Sequence, residues 1–288
     1  MAMIKLSPRP VSERQLEATP GKWWLREREP TSELAGSVKE YWEVEGSLAP
    51  FRETILPHGW IELMINLGPP HRVIGGNHAG VWRYGWLSGL QEHSIRIESR
   101  HGTHLVSARL SPIGAVDLFG TIAAEAANAI VDLRKLLGNA GRALIDAIRD
   151  APDSPSRFDV LEQFLLSRKP DVDVPAFVRA AASSIEKNHG IVRVSSLHEE
   201  LAVSRKHLSV MFKRFVGVTP KGYAKLHRFA WTIQRLQSSD SVDWSRLALE
   251  AGYSDQSHLV RDFRRIGGDA ATSLLARLTP DGIALWET

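Results

Sequence analysis

The spacing of apolar and polar side chains changes period partway along the chain. Up to about Pro112 it is close to two. In WIELMINL, Ile61, Leu63, Ile65 and Leu67 share one face of a strand, with Glu62 and Asn66 on the other. Turn residues bracket this piece, Pro57-His58-Gly59 before it and Gly68-Pro69-Pro70 after it. Shorter β-like stretches follow at Ser94 to Glu98 and Thr103 to Leu110, with Gly75-Gly76, Gly80, Gly85 and Gly89 marking turns. Short strands at close spacing predict a small β-barrel or sandwich. From Gly114 to about Ser167 the pattern is helical, and Phe158, Leu161 and Leu165 form one stripe. Arg168 to Pro175 (RKPDVDVP) reads as a linker, and everything beyond it as helices with short turns.

The C-terminal part repeats itself. SRKHLSVMFKRFVG (Ser204 to Gly217) recurs 51 residues later as DQSHLVRDFRRIGG (Asp255 to Gly268). His207 pairs with His258, Leu208 with Leu259, Phe212 with Phe263, and Arg214 with Arg265. Ser204 and Asp255 are both good helix N-caps. A shorter helical piece precedes each copy, LHEELAV from Leu197 and LALEAGYS from Leu247, aligned at an offset of 50. The second turn therefore holds one extra residue. The pattern is helix, tight turn, helix, twice.

Leu208, Phe212 and Phe215 at i, i+4 and i+7 turn one face of the first long helix inward. Arg205, Lys206, Ser209 and Val210 are then candidate base-edge readers in a major groove. In the second copy Leu259 and Phe263 point inward, leaving Gln256, Ser257, His258, Val260 and Arg261 as their counterparts. Lys213, Arg214, Arg264 and Arg265 lie further along and suit phosphate contacts. Between the copies, Thr219 is a candidate N-cap with Pro220 at the first helical position, and the helix can run to about Gln237. At ~1.5 Å per residue its length approaches one duplex turn, so two reading helices could enter successive major grooves.

Charge supports an anionic partner. From Val172 onward 16 Lys and Arg stand against 12 Asp and Glu, although the whole chain carries only +3. No acidic residue occurs between Glu200 and Asp240, where Arg205, Lys206, Lys213, Arg214, Lys221, Lys225, Arg228 and Arg235 all lie. Such a stretch fits nucleic acid, and the alternative is a solvated helix face.

With these motifs in place, Phe177 to Leu278 resembles the DNA-binding domain of the AraC/XylS family of bacterial transcription regulators. The resemblance rests on SRKHLSVMFKRFVGVTPKGYAKLHR and LALEAGYSDQSHLVRDFRRIGG. It implies double-stranded DNA as the partner, base readers on the outer faces of the two long helices, and a structural role for Arg228. RNA polymerase becomes a candidate partner. Ala202 stands where the family often has glycine, which a residue at φ < 0 would tolerate. Leu259 replaces a usual aromatic, and DAATS follows Gly268 in place of Thr-Pro. LPHGWIELMINLG and RLSPIGAVDLFG more loosely resemble N-terminal domains found in some of these regulators.

The first part is rich in tryptophan: Trp23, Trp24, Trp42, Trp60, Trp82 and Trp86. These either fill a β core or line a pocket for a small effector, with Trp60, Glu62, Asn66 and Trp82 as candidate ligand contacts. His58, His71, His78, His93, His101 and His104 also lie here. His101 and His104, three apart, would point to opposite faces of a strand, so no metal or other cofactor is assigned. The sequence holds no nucleophile elbow, phosphate-binding glycine loop or HExxH run, which leaves no enzyme reading. With no cysteine, disulfides, thiolate metal sites and the alkyl-acceptor repair chemistry sometimes joined to this DNA module are excluded.

The length of 288 residues suits two domains, and 43% hydrophobic with 24% charged residues fits a globular protein. MAMIKLSPRP lacks a signal-peptide core and no apolar run nears the ~20 residues that span a bilayer, so a cytoplasmic protein without membrane contact is expected. The predicted class is α+β: a small β-barrel or sandwich with following helices, then an all-α tandem helix-turn-helix domain. The expected divisions are a β-rich sensor at 1–112, a helical extension at 113–168 whose apolar stripe either forms a homodimer or packs on the β domain, a linker at 169–176, the DNA domain at 177–280 and a tail at 281–288. Two further readings stand beside a sequence-specific regulator: an architectural DNA-binding protein, and a ligand- or metal-binding β domain with an attached DNA module.

Overall fold

The computed structural model describes residues 9–18, 21–74, 79–100, 102–168, 172–237, 242–278 and 284–287. Strands open the chain: β1 Ser12–Ala18, β2 Gly21–Arg28, β3 Val38–Leu48, β4 Phe51–Ile55 and β5 Ile61–Asn66. β6 His71–Ile74, β7 Gly80–Trp82, β8 Gly85–Ser88, β9 Ile95–Ser99 and β10 Thr103–Leu110 follow. Helices α1 (Pro112–Phe119) and α2 (Ile122–Glu125) precede β11 (Ile130–Asp132), and α3 (Leu133–Leu137), α4 (Asn139–Asp150) and α5 (Ser154–Leu166) complete this half. The second half is helical: α6 Ala176–Lys187, α7 Leu197–Glu200, α8 Arg205–Val216, α9 Pro220–Gln237, α10 Trp244–Glu250, α11 Gln256–Gly267 and α12 Ala271–Ala276. None of the helices among the described residues is long and apolar enough to cross a membrane.

The strands pair antiparallel in two sheets, ordered β1-β2-β3-β10-β5-β8-β11 and, with β12 (Ala284–Glu287), β12-β4-β9-β6-β7. The period-two pattern of β5 gives each of its faces a separate role. Ile61, Leu63 and Ile65 are at most 1% exposed and join the core shared with the helices. Glu62 and Asn66, on the opposite face, are buried too, so a solvent-exposed role for them does not hold.

Residues 284–287, expected as part of a tail, instead add a strand along β4, Ala284 facing Ile55 in register. A four-residue strand is too short to announce itself by alternation. β11 likewise extends the first sheet beyond residue 112, pairing Val131 with Leu87.

Asp153 caps α5 by accepting from the Ser156 N–H at 2.9 Å. The stripe on this helix, Phe158, Leu161 and Leu165, is completely buried, and Phe158 stacks on Tyr41 of β3 at 6.1 Å. Of the two readings of this stripe, packing within the chain's own core is the one the burial supports, and it leaves these side chains no surface for a second copy. In the expected linker, residues 169–171 lie outside the described residues, while Val174 is 2% exposed within the same core. That core runs from Leu63 through Val174 to Phe212 and Phe263 without a break between the two halves.

Candidate nucleic-acid interface and β-domain cavity

The sequence repeat is also a repeat of backbone geometry. In the first unit Ala202 N–H donates to Glu199 O at 3.1 Å and Val203 N–H to His198 O at 2.9 Å. Fifty residues on, Gly252 N–H donates to Leu249 O at 3.0 Å and Tyr253 N–H to Ala248 O at 2.8 Å. Both bond patterns need a left-handed residue, and φ is 52° at Ala202 and 70° at Gly252. The condition under which alanine fits this turn without strain, φ < 0, is thus not met at Ala202. The turn imposes the conformation, and a side chain there costs about 1–2 kcal/mol relative to its relaxed state.

The long helix of each unit starts and stops alike. Ser204 accepts from His207 N–H at 3.1 Å, and Asp255 from His258 N–H at 2.7 Å. The latter bond holds the Asp255 carboxyl below the usual carboxylate range. At the far ends Gly217 and Gly268 are left-handed, at φ 90° and 84°. Leu208, Phe212 and Phe215 are buried on α8, as are Leu259 and Phe263 on α11.

Most outward positions are open. Arg205, Lys206 and Val210 are exposed on α8 with Ser209 half-buried beside them, and Gln256, Ser257 and Arg261 are exposed on α11. Lys213, Arg214, Arg264 and Arg265 are exposed further along. His258 departs from the expected set of base readers. Its ring meets Tyr253 edge-on at 5.2 Å and its Nδ1 lies 3.2 Å from Ser254 Oγ, so it is engaged within its own unit. Val260 is half-buried as well.

A single helix joins the units. α9 covers the 18 residues expected, roughly 27 Å at ~1.5 Å per residue, and begins with Thr219 Oγ1 accepting from Gly222 N–H at 3.1 Å. Arg228 on this helix donates to Gly252 O at 3.1 Å and to Gly190 O at 3.3 Å. One guanidinium thereby ties the turn of the second unit to the segment ahead of the first, and it lies over the Tyr253 ring at 5.1 Å. Lys225, one of the cations of the stretch without acidic residues, is 3.4 Å from buried Asp262 on α11. After Gly268, α12 starts at Ala270 without a capping side chain, and Asp269 is held by Arg277 at 2.7 Å.

In the β domain the two sheets enclose a cavity of about 230 Å³, walled by Trp23, Trp42, Trp60, Trp82 and Trp86 among others. Trp23, Trp42 and Trp86 are thus both core and lining, whereas Trp24 is exposed. Strand register explains the polar end. Arg109 on β10 lies directly between Glu40 of β3 and Glu62 of β5, and its guanidinium bonds both carboxylates. Glu62 also accepts from Trp42 Nε1–H at 3.0 Å and from Ser107 Oγ–H at 2.7 Å. Burial would raise the Glu62 pKa, but Arg109 and these donors hold it below the usual range. Asn66 does not reach the cavity; its amide donates to Pro69 O and Arg83 O and so fixes two turns.

Among the described residues, two cavity groups have no hydrogen-bond partner: the His71 ring, through both nitrogens, and Trp82, through Nε1. His71 is 3% exposed, and burial pushes its pKa down to about 4. The sequence named His71 only as one histidine among several. Its inward direction depends on β6 pairing with β7 and β9, which is not local information. Of the other histidines, His78 and His101 lie outside the described residues. His104 sits with Glu43 and Glu45 in a cluster of metal-ligand type. Arg157 and His104 already hold Glu43 Oε1, at 2.6 and 2.7 Å, and Arg26 holds Glu45 at 3.0 Å.

The segment 56–60 faces both ways. Leu56, Pro57, His58 and Trp60 line the cavity, while the Trp60 ring packs edge-on against His227 of α9. His227 in turn meets Tyr223 at 4.4 Å, and the Tyr223 hydroxyl donates to Glu186 at 2.6 Å. A second contact joins the loop before β9 to the end of α11: Ser94 N–H donates to Ile266 O at 2.9 Å, and His93 Nδ1 lies 3.0 Å from Arg265 O.

A helix-turn-helix domain family matches residues 197–277, which span α7 to α12. A second family, a domain of unknown function (DUF6597), matches residues 26–132. No curated protein matches the chain. Similar solved structures include ToxT from Vibrio cholerae, at 13% identity and TM-score 0.47 over 82% of this chain and 98% of that one. ToxT from V. cholerae strain SCE256 bound to unsaturated fatty acid is 12% identical, at TM-score 0.47 over 86% and 96%. The C-terminal domain of AraT, a response regulator from Geobacillus stearothermophilus, is 24% identical at TM-score 0.32 over 34% and 83%. The helix-turn-helix match falls on the two units that share turn, cap and glycine geometry. Residues 197–277 thus carry a helix-turn-helix domain, and an N-terminal β domain matched by the family of unknown function precedes it.

Proposed function

We propose that the chain is a DNA-binding transcription regulator of the AraC/XylS type, that it reads a specific sequence with both long helices at once, and that its β domain senses a small molecule. The observation that carries the reading is the duplicated unit: two helices with matching N-caps and left-handed glycine ends, presenting Arg205 and Lys206 in one copy and Gln256 and Arg261 in the other. Arg and Lys suit guanine O6 and N7, and Gln suits adenine. Arg205, Lys206, Ser209, Val210, Gln256, Ser257 and Arg261 are the proposed base readers. Lys213, Arg214, Arg264 and Arg265 are the proposed phosphate contacts.

Sensing is supported by the cavity and by the segment that walls it. A ligand that moves Trp60 acts on α9, the helix between the two units, so occupancy and DNA affinity become linked quantities. The test of sequence reading is Lys206→Ala. It is expected to cost about 1–3 kcal/mol at the preferred site and to relax the base preference there. An equal loss on scrambled duplexes at the same salt would reduce Lys206 to a phosphate contact.

A further inference from the structure

We propose that the cavity takes an uncharged, flat aromatic molecule bearing a hydrogen-bond acceptor for Trp82 and a polar edge for His71. This rests on the reading of the cavity as a ligand site and adds its chemistry. Three observations point the same way.

The first is an unmet demand. His71 and Trp82 are direct cross-strand partners, so the side chains leave the second sheet together on one face. Buried polar atoms in folded proteins are nearly always paired, and here three nitrogens on two adjacent side chains find no partner among the described residues. Trp82 Nε1 can only donate, so an occupant must bring an acceptor there. A neutral imidazole offers one N–H and one lone pair, so it accepts either kind of polar edge.

The second is charge. The lining holds Glu27, Glu40, Glu53 and Glu62 against Arg14 and Arg109. Arg109 is committed to Glu62 and Glu40, and Arg14 to Glu27 at 2.9 Å. Neither guanidinium is open to a carboxylate ligand, and with more Glu than Arg the lining stays net negative, which disfavours one. Nor does Glu62 offer itself to a cation, since Arg109, Trp42 and Ser107 already saturate it.

The third is shape. Trp82 and Trp86 stand 6.1 Å apart, His71 meets Trp86 edge-on at 6.3 Å, and Leu25, Trp42 and Leu105 close the same cluster. Ring faces and edges in this number favour a planar guest through offset and T-shaped contacts.

The test compares one ring system in three charge states on the full chain: quinolin-2-one, its anionic 4-carboxylate, and cationic 4-aminoquinoline. Binding is read by calorimetry and by ¹⁹F resonances of protein labelled with fluorotryptophan. Quinolin-2-one is expected to bind most tightly, to shift the resonances of Trp82 and Trp86, and to lose about tenfold in affinity with Trp82→Phe or His71→Phe. Circular dichroism of the variants shows whether they remain folded. Preferred binding of the carboxylate or the amine, or binding untouched in both folded variants, would overturn the proposed chemistry while leaving a ligand site. Binding of none of the three would sink the chemistry and the sensing reading together.

Discussion

The Trp60 indole meets the His227 imidazole edge-on, with ring centroids 5.8 Å apart at 76°. The neighbouring Gly59 makes this approach feasible. At φ 77° it adopts a conformation that L side chains rarely take, and a Cβ there would come within 2.8 Å of His227 Nε2. Gly59→Ala is expected to destabilise the protein by about 1–3 kcal/mol through strain and overpacking. Urea unfolding followed by tryptophan emission measures it. A wild-type midpoint would mean that the two halves do not depend on this contact.

Two buried histidines, His71 and His227, and the half-buried His58 give stability a pH dependence of known sign. Burial pushes His58 and His71 down to about 4 and His227 to about 3. Arg109, Glu62 and Lys39 face His58, while His58, His189 and Lys39 face His227. Unfolded histidines titrate near ~6.5, so below that the unfolded chain binds protons that the folded chain refuses. Stability is therefore complete above about pH 6.5 and falls as pH drops toward 4. His71 alone contributes about 2 kcal/mol of loss between pH 7.5 and pH 5. Unfolding free energies of His71→Phe from urea titration at the two pH values should lie closer together by that amount than those of the wild type, and an unchanged gap would count against a neutral buried His71.

Ala202 carries strain that its counterpart Gly252 avoids, at φ 52° against 70°. Ala202→Gly is expected to raise stability by about 0.5–1 kcal/mol, the relieved strain exceeding the added backbone entropy of the unfolded chain. Thermal unfolding would show a higher midpoint. A lower one would mean that the turn tolerates alanine without cost.

Arg228 spans the two turn segments with two charge-assisted bonds, to Gly190 O and Gly252 O. A lysine cannot reproduce that fork. Arg228→Lys should cost about 1.5–3 kcal/mol in stability. It should also weaken DNA binding more on sites needing both units than on a half-site. Equal loss on both would remove Arg228 from the alignment of the two units.

What could be read from the sequence divides along local and non-local lines. The helix-turn-helix units were legible because their signals sit within a few residues: Ser204 and Asp255 as caps, Gly217 and Gly268 as ends, and the leucine and phenylalanine spacing between. The α9 boundaries followed for the same reason, from Thr219 and Pro220. His258 was not legible. Its helical position lies at the edge of the outer face, and Tyr253 and Ser254 across the turn decide where the ring goes. The Glu40–Arg109–Glu62 triad was hidden too, because it depends on the register of three strands far apart in sequence. Trp60 and Trp82 could be singled out by residue type, yet only sheet pairing decides which tryptophans meet at a cavity. Asn66 looked like a polar hook, and its amide proved to be used by backbone carbonyls on either side.

The central claim is that one chain reads two elements with α8 and α11 held by α9. In-vitro selection of duplexes from a random library by the full-length protein, at about physiological salt, tests it most directly. Enrichment of two short elements about one helical turn apart, with Lys206→Ala relaxing preference in one and Arg261→Ala in the other, is the predicted result. Recovery of a single element, or of merely AT-rich DNA indifferent to both substitutions, would contradict it.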